Sequence, residues 1–149
     1  MKNRVYHIIP AVLFLVFALA LTACGALKDA AKLSEYEVGG ESIASITSVI
    51  GEREVTGVES STNNGVSSKQ YTYASESVYD DLLAYIRKLM DENWLVTEDI
   101  DLNVVPGKGQ LGKKASEEGQ ILLLSIAYED SKYAIKITKT EGTIEQQAE

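Results

Sequence analysis

The apolar pattern predicts an α+β domain: an antiparallel β-sheet with one main helix packed on one face, in the order strands, helix, strands. One stretch, residues 78–92, repeats its apolar side chains at helical spacing. Short β-rich runs punctuated by Gly, Asn and Asp flank it on both sides. A helix segregated to one face of such a sheet gives two layers.

Taken in order, residues 24–44 read as a flexible tether, because the apolar face of Ala26 to Tyr36 is thin and Gly39-Gly40-Glu41-Ser42 follows. Ile46 to Ile50 is β-rich, Gly51-Glu52 marks a turn, and Glu54 to Glu59 reads as a strand. Ser60 to Gly65 is a turn cluster, and Val66 to Tyr73 alternates as a strand does. Val78, Leu82, Ile86 and Leu89 then form one helical stripe, widened by Leu83, Tyr85 and Met90. Ser77 is the expected N-cap, with Asp80 in the capping-box position, and Asn93 is the expected left-handed exit. Trp94 to Val105 reads as an extended run bent near Glu98-Asp99, and Gln110 to Lys113 as a short strand. Ile121 to Tyr128 is the most apolar strand. Glu129-Asp130-Ser131 turns it into Lys132 to Thr138, where Tyr133, Ile135 and Ile137 alternate with Ala134, Lys136 and Thr138. The single domain is placed at 45–140, and 141–149, without apolar periodicity, as a frayed tail.

The N-terminus has the parts of an export signal: Lys2 and Arg4, an uncharged apolar core from Ile8 to Leu21, then small residues. The core is shorter than the roughly 20 apolar residues that span a bilayer. Leu21-Thr22-Ala23-Cys24 resembles the lipobox of bacterial lipoproteins. That resemblance implies cleavage after residue 23, a diacylglycerol thioether on Cys24 and further acylation of the new amine. Two or more acyl chains make a lasting anchor where one binds only marginally. It also implies a position on the extracytoplasmic side of the cell membrane, at a Gram-positive surface or in a periplasm. Beyond residue 25 the chain resembles, loosely, small uncharacterised lipoproteins of Gram-positive bacteria, a likeness that brings no activity or site residues.

Processing at this site removes His7, the only histidine, and commits the only cysteine to lipid. Roughly 126 residues remain, enough for one domain, with a formal charge near −10. A domain without histidine or thiol has no Ser-His-Asp or Cys-His nucleophile pair, no His/Cys zinc site and no disulfide. Its charge opposes binding to nucleic acid and to anionic membrane or wall polymers. The expectation is a protein that is not an enzyme and carries no cofactor or metal.

Three patterns imitate sites. Gly107-Lys108-Gly109-Gln110-Leu111-Gly112 fits G-x-G-x-x-G, and with Lys113 the start of a phosphate loop. The following Lys113-Lys114-Ala115-Ser116-Glu117-Glu118 is too short and polar to supply the helix N-terminus that such loops need, so an ordinary exposed loop or hairpin is expected. Asp99-Ile100-Asp101-Leu102-Asn103 starts like a calcium loop but places Val104 where glycine belongs and Gln110 where glutamate belongs. Glu98, Asp99 and Asp101, or Glu129 with Asp130, would serve a hydrolase only if two acids faced each other across a cleft.

Seven tyrosines and Trp94 remain after cleavage. Tyr71 and Tyr73 share one strand face, and Tyr128 and Tyr133 flank the last turn. Such residues pack under helices and pair across strands, and core or half-buried packing is the expected role; the alternative is that these four form a binding face. The leading expectation is a membrane-anchored binding module that meets an envelope or membrane protein. The alternative is a binder of a small ligand (a sugar, a peptide or weakly held calcium), with a carboxylate hydrolase behind both.

Overall fold

The computed structural model describes residues 25–144. The export signal, Cys24 and the last five residues lie outside that range. The fold is α+β with antiparallel sheets and few helices. A hairpin, β1 (Glu35–Val38) and β2 (Glu41–Ala44), leads into α1 (Ile46–Ile50). Then come β3 (Glu54–Asn63), β4 (Val66–Ala74) and α2 (Val78–Asp91). The chain ends with β5 (Leu95–Glu98), β6 (Gly107–Lys114), β7 (Gln120–Tyr128) and β8 (Lys132–Glu141). The six later strands form one sheet in the order β3-β4-β8-β7-β6-β5, every neighbouring pair antiparallel. Among the described residues no helix is long and apolar enough to cross a membrane.

The helix α2 follows its sequence pattern. Val78, Leu82, Tyr85 and Leu89 are buried, and Asn93 leaves the helix at φ 66°. The cap differs from expectation: Ser77 occupies the N-cap position but makes no side-chain cap bond, and Ser75 Oγ accepts from its amide instead (3.0 Å).

The expected tether is instead folded. Residues 25–30 are helical, and Leu27, Ala30, Ala31 and Leu33 pack on the core. Gly39-Gly40 is a two-residue hairpin turn with both φ positive, the conformation that tight hairpins demand and glycine adopts without strain. Tyr36, Val38 and Ile43 of that hairpin are at most 4% exposed. Lys139 of β8 clamps its outer end, donating to Gly39 O (3.0 Å) and pairing with Glu41 (3.3 Å).

Ile46–Ile50, expected as a strand, is a helical turn. Its β-branched residues favour extension locally, but Ser45 caps it by accepting from the Ser48 amide (3.1 Å), and Gly51 at φ 86° ends it. Burial of Ile46 and Thr47 holds it there. α2, α1 and the β1–β2 hairpin all contribute buried side chains to the same core as the sheet.

Other bounds also shift. The turn expected over Ser60 to Gly65 shrinks to Asn64-Gly65, an Asn-Gly hairpin turn, and β3 runs to Asn63. The extended run after Trp94 stops at Glu98. β6 is twice the expected length. The tail is not frayed from 141: Glu141 pairs with Gln120, Gly142 donates to Gly119 O (3.1 Å), and Ile144 reaches the position of Gly112.

Candidate functional site

The four candidate tyrosines all lie on the covered face of the sheet. Tyr71, Tyr73, Tyr128 and Tyr133 are at most 4% exposed, so they are core and not a recognition surface. The hydroxyls of Tyr73, Tyr128 and Tyr133 are satisfied internally, as buried polar groups must be. Tyr73 shares a 2.7 Å hydrogen bond with Tyr36, whose oxygen also accepts from the Ile46 amide (3.2 Å). Tyr128 donates to Asp101 O (2.6 Å) and Tyr133 to Asp81 (3.3 Å). The rings of Tyr36 and Tyr71 stack at 4.5 Å and those of Tyr73 and Tyr133 at 5.4 Å. Burial pushes the Tyr73 hydroxyl up to about 12 and raises those of Tyr36, Tyr85 and Tyr133 well beyond the usual phenol range.

Asp81 is the one buried carboxylate of α2. It accepts from Arg53 Nε (2.9 Å) and Nη2 (2.7 Å), from Ser75 Oγ (2.7 Å) and from Tyr133. Burial by itself would raise its pKa. The bonds from Arg53 and Ser75 outweigh that, and the net shift is downward. Oδ1 accepts from Arg53 Nη2 and Oδ2 takes the other three bonds, and the cluster fastens the start of α2 to the residue before β3 and to β8.

The remaining patterns dissolve into structure. The glycines of the G-x-G-x-x-G run lie within β6 and make room for neighbours. A Cβ on Gly107 would stand 2.2 Å from the Tyr128 ring, on Gly109 2.1 Å from Ile100, and on Gly112 2.6 Å from Ile144. Asp101 Oδ1 accepts from the Asn103 amide (3.0 Å) and side chain (3.1 Å). Glu98 pairs with Lys108 (2.8 Å) and Glu129 with Lys132 (3.4 Å). Among the described residues no group of three or more His, Cys, Asp or Glu side chains is arranged to hold a metal ion.

What the covered face lacks, the other face offers. Because side chains alternate along a strand, the residues between the buried ones point away from the helices. The register aligns Glu59, Gln70, Lys136, Ser125, Gln110 and Glu98 in one cross-strand row over all six strands. At about 4.8 Å per strand the row is about 24 Å long. Gln110 donates to Ser125 Oγ (2.9 Å) and accepts from Thr97 Oγ1 (3.0 Å), which fixes part of it. Lys136 at its centre is exposed, with no ion-pair partner among the described residues. The adjacent row, Thr72, Ala134, Ala127 and Lys108, has small side chains in its middle. A shallow cavity of about 330 Å³ opens there, bounded also by Pro106, Glu129 and Lys132.

Sequence reasoning missed this face because it looked for aromatics. The signal was present in the complementary positions of β8, where Ala134, Lys136 and Thr138 alternate with the buried residues. No protein-family model matches this chain, and no curated protein or solved structure matches it.

Proposed function

We propose that this chain is a lipid-anchored, extracytoplasmic, non-enzymatic binding module, a two-layer domain that recognises its partner with the bare face of the sheet. The observation that carries the binding part is the polar row through Lys136. A cation, two carboxamides and a hydroxyl, spaced by the strands, suit an extended polar segment that offers carboxylate and carbonyl groups, as an envelope protein does. The anchor rests on Leu21-Thr22-Ala23-Cys24 at the end of an apolar core. A second reading, a small sugar or peptide ligand, is favoured by the cavity over Thr72, Ala127 and Ala134.

Photo-crosslinking from the Gln70 position in intact cells tests the first reading. A reproducible protein adduct that disappears with Lys136→Glu supports it. Adducts that persist unchanged with Lys136→Glu overturn it. Growth with labelled palmitate tests the anchor: label should enter the wild type and be lost with Cys24→Ala.

A further inference from the structure

Residues 25–34 leave no slack between the anchor position and the folded domain. Ala30 is 5% exposed, and Leu27, Ala31 and Leu33 pack against the same core. Leu33 O accepts from Thr47 Oγ1 (2.7 Å) and from Ser45 Oγ, and the Ser45 amide donates to Ser34 O (3.0 Å). The segment is thus tied to α1 by backbone bonds as well as by packing. Five helical steps from Gly25 to Ala30 cover about 7.5 Å. The peptide link to Cys24 adds about 3.8 Å. The anchoring residue consequently lies within about 11 Å of a buried core residue. A flexible tether of about 20 residues would instead place the domain about 25 Å away on average.

We propose that the domain rides directly on the lipid headgroups, with the 25–34 segment as its membrane-facing surface; this rests on the lipidation of Cys24 proposed above. Charge supports the occupant. In an acidic domain, the segment beside the anchor presents Lys28 in its helical part and Lys32 in the turn that follows, both exposed. Neither has an ion-pair partner among the described residues, although Asp29 stands between them in sequence. Ammonium groups so placed meet the phosphates of anionic lipid, and the attraction is confined to about a Debye length, which a short attachment satisfies and a long one does not. The consequence is a limit on partners: the binding face works at the membrane surface.

The test uses the full chain, processed in bacterial cells and reconstituted into vesicles of equimolar phosphatidylglycerol and phosphatidylcholine carrying an acceptor dye. A donor dye is attached through Ser34→Cys or, at the β3–β4 hairpin turn, through Asn64→Cys. Energy transfer from position 34 should exceed that from position 64 at least twofold. An insert of about 20 glycine and serine residues after Gly25 should reduce it at least twofold. Lys28→Glu with Lys32→Glu should reduce it on these vesicles and not on neutral ones. Equal transfer with and without the insert, in protein whose mass includes the acyl chains, overturns direct seating. A charge reversal without effect overturns the lysine contacts. A mature mass without acyl chains overturns the lipoprotein reading itself.

Discussion

On β8, Tyr133, Ile135 and Ile137 are at most 1% exposed, whereas Ala134, Lys136 and Thr138, one residue along in each case, lie half-buried or open to solvent. The same backbone serves both faces, so the contrast is one of side chains alone. The covered face is large, aromatic and internally satisfied. On the open face the β8 positions are small or polar and Lys136 has no ion-pair partner among the described residues, while Ile144 packs at Gly112 nearer the β5 edge. Binding groups therefore belong to the positions the core does not need. Substitutions should sort by face: strong effects on folding from one, strong effects on partner capture from the other.

The largest effect is expected from the covered face. Ile135→Ala removes a fully buried side chain between the sheet and its cover, and should cost about 2–5 kcal/mol in chemical denaturation. A loss below 1 kcal/mol would show that the cover packs loosely there and would blur the contrast.

Next comes the polar clasp on that face. Arg53→Ala leaves the Asp81 carboxylate buried without its cation and should cost about 3 kcal/mol, at the low end for such pairs because the Arg53 side chain is 30% exposed. The Asp81 pKa is lower in the folded than in the unfolded chain. Its stabilising contribution is complete above the unfolded value of about 3.9 and vanishes as pH falls through the folded value. The acid limb of the stability–pH profile should therefore be shallower in Asp81→Asn than in the wild type. Superimposable acid limbs would mean that the clasp adds nothing.

How far these faces could be read in the sequence depended on whether the signal was local. The helix stripe from Val78 to Leu89, the Asn93 exit and the alternation in β4 and β8 are local patterns, and they transferred to the structure. Ile46–Ile50 did not, because its β propensity is overruled by Ser45, Gly51 and burial against distant elements. The Gly39-Gly40 pair is ambiguous locally: two glycines suit a linker and a tight hairpin turn equally, and only Tyr36 stacking on Tyr71 decides. For the four tyrosines the pattern allowed core packing, the expected role, or a binding face, and burial against the elements packed on that side puts them in the core. The glycines of β6 look like a nucleotide loop in sequence because both uses need a missing Cβ.

Those glycines give a smaller effect that lies between the faces. Gly107→Ala would bring a methyl onto the Tyr128 ring and endanger its bond to Asp101 O, a cost of about 1–3 kcal/mol by overpacking. A neutral Gly107→Ala in a thermal melt would show that the ring moves freely, and the 99–106 loop with it.

The smallest effect on folding is the most informative for function. Lys136→Ala and Ser125→Ala alter exposed or half-buried side chains with no large packing role, so stability should stay within about 0.5 kcal/mol of wild type. Capture of the crosslinked partner should nevertheless fall at least tenfold in Lys136→Ala, where the only central cation of the row is lost. Ser125→Ala should fall less, because it removes one hydroxyl and leaves Gln110 held by Thr97. The order of the two losses matters more than their size. A serine effect equal to the lysine effect would mean that the partner reads the shape of the row and not its charge.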